Sequence, residues 1–129
     1  VSCAVALKTL EIYERDKVFQ HAKKVGEYFQ NSIKEILKED YVGEVRGIGL
    51  IAGIELYKDP SNKIPFEEAG KAGKILSDTC QKNGLIVRPI LDTVALCPPL
   101  IISEKEVDEL TDKLKKSLQE AKDEIMKVH

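Results

Sequence analysis

Histidine, cysteine and arginine are all scarce in this 129-residue sequence, with two, three and three residues respectively. His21 stands among charged neighbours and His129 is the last residue. Neither has a His or Cys partner at metal-ligand spacing, so no metal site is expected. Cys3, Cys80 and Cys97 are odd in number and widely spaced, which excludes a disulfide framework and a CxxC metal pair. Their apolar neighbours predict buried, reduced thiols, and a reducing, cytoplasmic setting follows. No apolar run approaches the roughly 20 residues of a membrane-spanning helix. The opening stretch VSCAVALKTLEIYERD meets charge too early for a secretory leader and has no basic start. It begins without Met and in mid-pattern, as expected of a piece of a longer chain. Charge of one sign is also lacking. A net charge of −2, from 20 basic and 22 acidic residues, gives no footprint for nucleic acid or an anionic membrane. The G-x-S-x-G, Walker and G-x-G-x-x-G signatures are absent.

What is present reads as one α+β domain over residues 1–129. Ala4, Leu7, Leu10 and Tyr13 fall at helical spacing and predict a first helix with a buried stripe. A second helix is expected over 17–38, with Ala22, Val25, Phe29, Ile33 and Ile36 on one face. The stretch EVRGIGLIAGIELY (44–57) predicts one long strand or two short ones kinked at glycines. Gly47, Gly49 and Gly53 lack a following helix start, so close backbone packing explains them better than a phosphate loop. A polar loop over 58–65 leads to Pro65, suited to a first helical position, and a third helix over 66–82 that Asn83-Gly84 stops. LIVRPI and TVALC predict two strands joined as a hairpin by Ile90 to Asp92. Pro98-Pro99 ends the second of them. Ser103 and Glu106 make a capping box for a last helix striped by Val107, Leu110, Leu114, Leu118, Ala121 and Ile125. The result is a small, largely antiparallel sheet of three to four strands packed against helices.

No pair of carboxylates stands out as an acid/base couple, and Glu and Lys cover the helix surfaces. The arginines are more informative. Arg15 ends a helix. Arg46 and Arg88 lie in strand-like apolar stretches, alone among 17 lysines spread elsewhere. A guanidinium grips a carboxylate with two parallel hydrogen bonds and keeps its charge. In an apolar strand it must find an anion or a set of carbonyls. One reading of Arg88 is an internal ion pair with Glu44, Glu55 or Asp92, or an edge position with its head in water. The other is an anion grip.

Three segments, VSCAVALKTLEIYERD, VGEVRGIGLIAGIELY and GLIVRPILDTVALCPPLIISEKEVDEL, together resemble the C-terminal part of class III aminotransferases. The resemblance implies the small, C-terminal domain of a pyridoxal-phosphate enzyme of the aspartate aminotransferase-like architecture (fold type I), with the large domain outside this chain. It implies that the lysine bonded to pyridoxal 5'-phosphate lies upstream, so none of the lysines here is assigned a catalytic or cofactor-binding role, and the isolated chain is expected to be inactive. In the branches using ω-amino acids and pyruvate, and in the diaminopelargonate branch of biotin synthesis, the arginine of VRP binds the substrate carboxylate, which points to Arg88. The ornithine, acetylornithine and 4-aminobutyrate enzymes place that arginine three residues before the double proline, where this sequence has Ala95. The resemblance therefore favours transfer from an ω-amino acid or amine to pyruvate or another keto acid, in a homodimeric parent, with a diaminopelargonate-type enzyme of the same Arg-Pro-x-x-Asp spacing as the alternative. Leu91 departs from the glycine that many such enzymes have before the Asp. Arg46, Gly47 and Gly49 are implied to be framework, with Arg46 an internal hydrogen-bonding post. The competing reading is a stand-alone anion-binding or interaction domain without enzymatic activity.

Overall fold

The protein is described by a computed structural model over residues 1–128, the Leu37 side chain excepted. The chain runs through α1 (Ser2–Arg15), α2 (Val18–Lys34), a 3-10 turn (Glu35–Lys38), β1 (Val42–Ile48), β2 (Ile51–Leu56), α3 (Lys71–Lys82), β3 (Arg88–Ile90), β4 (Thr93–Leu96) and α4 (Glu104–Ile125). The four strands form one sheet in the order β1-β2-β4-β3, antiparallel at every pairing. This is the expected α+β architecture.

Strand alternation sorts the sheet into two faces. Ala52, Ile54 and Leu56 of β2, with Val94 and Leu96 of β4, are buried and point inward. Against them pack Phe29 and Ile33 of α2, Leu76 of α3, and Leu114, Leu118 and Ile125 of α4, all fully enclosed. Tyr41 lies in the same core, and its hydroxyl donates to the Leu118 carbonyl at 2.5 Å. Burial removes the phenol from water and raises its pKa well above the ordinary value.

Local signals set the helix ends where they are strong. The Ser103 hydroxyl accepts from the Glu106 N–H at 3.3 Å, and Glu106 Oε2 accepts from the Ser103 N–H at 2.8 Å, which completes the capping box. At the end of α3, Leu85 N–H donates to the Cys80 carbonyl at 2.9 Å and Gly84 N–H to that of Gln81 at 3.0 Å. With Gly84 at φ 77°, this is a Schellman stop. The β1–β2 hairpin turns at Gly49 (φ 56°) and Leu50. Here a Cβ on Gly26 of α2 would lie 2.8 Å from the Gly49 Cα, so the helix and the turn meet backbone to backbone.

Four expectations are corrected. The third helix begins at Lys71 rather than Phe66, because Gly70 sits at φ 85°, a conformation no helix interior accommodates. The strand in LIVRPI spans only Arg88–Ile90, since Leu85 is spent closing α3. Cys80 is buried, but Cys3 and Cys97 are exposed. The stripe on α1 has no buried member: Leu7 is 69% and Leu10 57% exposed. That helix is held at its end, where Tyr13 meets Phe19 of α2 edge to face at 5.0 Å. Helical spacing predicts a stripe wherever one will be covered, and nothing among the described residues covers this one.

Candidate functional site

The outward face of the sheet is open. Its members are Glu44, Arg46 and Ile48 of β1, Ile51, Gly53 and Glu55 of β2, Thr93 and Ala95 of β4, and Arg88 and Ile90 of β3, and none is fully buried. The register aligns one row across all four strands: Arg46 opposite Gly53, Gly53 opposite Ala95, and Ala95 opposite Arg88. Directly opposed residues share a face. The row therefore carries a guanidinium at each end and two nearly bare positions between, which forms a shallow trough. Three strand spacings separate the ends, roughly 14 Å between the backbones.

The two arginines differ in their partners. Arg46 Nη1 lies 2.6 Å from Glu55 Oε2 and 3.8 Å from Glu44 Oε1, and the hydrogen bond to Glu55 raises its pKa. Its charge is committed within the protein. It lies at the surface, however, with half its side chain exposed, so the expectation of an internal post is corrected to a surface ion pair. Arg88 is exposed and makes no side-chain hydrogen bond or ion pair among the described residues. The acids considered as its partners are engaged elsewhere. Glu55 holds Arg46, with Glu44 beside it. Asp92 turns to α3, where Oδ2 accepts from the Gly70 N–H at 2.9 Å and Oδ1 from the Gly73 N–H at 3.1 Å. A positive charge on an open face, beside small residues and without an acid of its own, can receive an anionic group.

The profile of the family described as aminotransferase class-III matches residues 1–118. The chain belongs to that family. A probable gamma-aminobutyrate transaminase 3, mitochondrial, of Oryza sativa subsp. indica is 36% identical over 97% of this chain and 24% of its own length. An adenosylmethionine-8-amino-7-oxononanoate aminotransferase of Methanocaldococcus jannaschii is 37% identical over 92% of this chain and 26% of its own. Among solved structures, the omega transaminase from Pseudomonas jessenii in complex with PMP superposes with a TM-score of 0.89 at 34% identity, covering 95% of this chain and 27% of that one. The chain spans about a quarter of the length of these relatives. Its fold is that of part of these transaminases.

The class-III family implies pyridoxal phosphate, which needs a lysine amine in an enclosed pocket and donors for its phosphate. No described lysine is buried. The three half-buried ones, Lys113, Lys115 and Lys122, stand on α4 on the helical side of the sheet, with Lys113 paired to Glu109 and Lys122 to Asp40. The residues of this chain alone do not fit the cofactor. No group of His, Cys, Asp and Glu that could hold a metal occurs among the described residues.

His21 is not simply a charged-surface residue, since its Nε2 lies 2.8 Å from the Ile102 carbonyl oxygen and ties α2 to the segment before α4. The predicted Arg88 and Ala95 are brought side by side. The tether at Asp92 escaped the sequence reading, because its partners stand 22 and 19 residues earlier in the chain. The only local signal is Gly70, a helix start without a capping side chain of its own.

Proposed function

We propose that this chain is the small, C-terminal domain of a pyridoxal-phosphate-dependent aminotransferase, and that Arg88 binds the carboxylate of its keto-acid substrate. The amino group would pass from an ω-amino acid or amine to pyruvate or a similar keto acid. The observation that carries this reading is Arg88 itself: an exposed guanidinium on the open sheet face, opposite Ala95, with no acid of its own among the described residues. Membership of the class-III family supports the reaction class.

The donor must be accommodated with or without a distal carboxylate, and the acceptor always carries one. An arginine on an edge strand suits both demands, because its long side chain can reach over the trough toward an acid or lie aside for an apolar group. Ala95 offers no charge at the neighbouring position, so recognition of the acid falls to Arg88. Pyridoxal phosphate supplies the electron sink of such chemistry when bound. It would be held by the part of the protein outside this chain. The exposed apolar stripe of α1 supports a parent in which that helix is covered, and it disfavours a stand-alone binding domain. A homodimeric parent in the cytoplasm completes the proposal, and three free thiols agree with a reducing setting.

The test uses the full-length protein. Arg88→Ala should raise KM for pyruvate about 10- to 100-fold, matching the roughly 1.5–3 kcal/mol of a hydrogen bond to a charged group. KM for an amine donor without a carboxylate should hold. Equal effects on both substrates would remove Arg88 from the role.

The biotin-synthesis reading is the second one, favoured by the 37% identity to the Methanocaldococcus jannaschii aminotransferase. Assaying 8-amino-7-oxononanoate as the amino acceptor separates the two.

A further inference from the structure

The strand that carries Arg88 has a weak hold on the sheet, although its hairpin partner β4 is paired with β2 at four positions. β3 is three residues long, lies at the sheet edge and pairs only with β4. Three contacts at the hairpin tip make up for this. The Asp92 carboxylate accepts from two backbone amides at the start of α3, Gly70 N–H at 2.9 Å and Gly73 N–H at 3.1 Å. The Asp92 carbonyl accepts from the Leu56 N–H at the end of β2, at 2.9 Å. The Leu91 carbonyl packs onto Gly73, where a side chain would collide with it.

These two amides, at the cap and third positions of the helix, are the pair that the two side chains of a capping box satisfy reciprocally, and here both positions are glycine. Gly70 is the cap residue of α3 and has no side chain to do it. Asp92 supplies the missing acceptor from 22 and 19 residues further along the chain, and its negative charge suits the positive end of the helix. One half-buried side chain thus joins α3 to the tip of the hairpin, four residues along the chain from Arg88.

The geometry points to Asp92 as a positioning residue for substrate recognition: by capping α3 it fixes the β3–β4 hairpin and thereby the place from which Arg88 reaches the carboxylate. This inference rests on the carboxylate role of Arg88 proposed above. Asp92 does not touch the substrate. Its effect passes through the backbone of the hairpin, so it should be felt only by substrates that use Arg88.

The experiment compares Asp92→Ala, Asp92→Asn, Arg88→Ala and the double variant Arg88→Ala/Asp92→Ala in the full-length holoenzyme. Asp92→Ala should raise KM for pyruvate about tenfold, short of the ~100-fold that a 1 Å misplacement can cost. The calorimetric Kd for pyruvate should rise in the same ratio. For a carboxylate-free amine donor, kcat/KM should stay within about twofold. Asp92→Asn keeps one acceptor oxygen and should recover part of the loss. In the Arg88→Ala background, Asp92→Ala should add nothing to KM for pyruvate, because the group it positions is gone.

The inference is overturned if folded Asp92→Ala leaves pyruvate binding unchanged, weakens both substrates equally, or weakens pyruvate further without Arg88. Should Asp92→Ala fail to fold, Asp92→Asn decides by the same criteria. An unchanged pyruvate KM in Arg88→Ala itself is a separate result, which removes the underlying reading of Arg88 and this inference with it.

Discussion

The Leu91 carbonyl oxygen occupies the space beside Gly73 where a side chain would begin: a Cβ there would lie 2.0 Å from that oxygen. Two opposed effects meet at this point. Alanine is the better helix former by about 1 kcal/mol. The contact is with backbone, which cannot swing aside, and overpacking of this kind costs about 1–3 kcal/mol. Gly73→Ala is therefore expected to destabilise the protein, by up to about 2 kcal/mol net. Thermal unfolding measures this, and an increase in Tm would show that α3 and the hairpin can separate without loss.

Leu91 itself is at φ 53°, and its neighbour Asp92 is not in the left-handed region. A two-residue hairpin loop with a positive φ at its first position normally has glycine there. Leucine pays about 1–2 kcal/mol for this conformation, while glycine would lose about 0.5–1 kcal/mol through its freedom in the unfolded chain. The Leu91 side chain is 69% exposed and contributes little burial to set against this. Leu91→Gly should raise stability by about 0.5–1 kcal/mol, seen as a higher denaturant midpoint at constant slope. A lower midpoint would mean that the leucine side chain packs usefully in solution.

The capping box of α4 makes a pH-dependent prediction. Hydrogen bonds from the Ser103 backbone and hydroxyl to Glu106 lower the Glu106 pKa. A depressed folded-state pKa contributes stability above the unfolded carboxylate value of about 4.3, and that contribution is lost as pH falls through the folded value. Ser103→Ala should cost about 1 kcal/mol at neutral pH. The gap between the variant and the parent sequence should narrow below about pH 4, because protonated Glu106 no longer favours the cap. A gap independent of pH would assign the whole effect to the Ser103 hydroxyl.

At the alkaline end the sign reverses. Burial raises the Tyr41 pKa, so its stabilising contribution is complete below the unfolded tyrosine value of about 10 and is lost as pH rises above it. Tyr41 should form its phenolate only together with global unfolding, visible as phenolate absorbance rising in step with the loss of helical circular dichroism. Tyr41→Phe should cost about 1 kcal/mol at neutral pH through the hydrogen bond to Leu118. It should also remove that alkaline step. Phenolate formation well ahead of unfolding would show that the ring is reached by water in the native state.

Much of the fold was legible because its signals are local. Ser103 with Glu106, Asn83-Gly84 and Pro98-Pro99 each act within a few residues, and each ends or starts an element as expected. The apolar stripes of α2 and α4 were readable for the same reason, since helical period alone selects their faces. Gly70 was the local signal overlooked: its left-handed backbone moved the start of α3 from residue 66 to 71.

The sequence by itself determined the element types, the α+β class and the choice of Arg88 as the arginine to question. It could not tell that Cys3 and Cys97 are exposed or that the α1 stripe has no cover, because neighbours in the chain do not reveal what packs across space. Only the tertiary structure decided the row Arg46–Gly53–Ala95–Arg88, since that row depends on the register of three separate strand pairings. Only it decided which arginine is neutralised. Arg46 has Glu55 on the next strand, whereas Asp92, close to Arg88 in sequence, is drawn away by two amides at the start of α3. Charge pairing is a matter of distances of a few ångströms, and those are set by the packing of strands and helices distant in sequence.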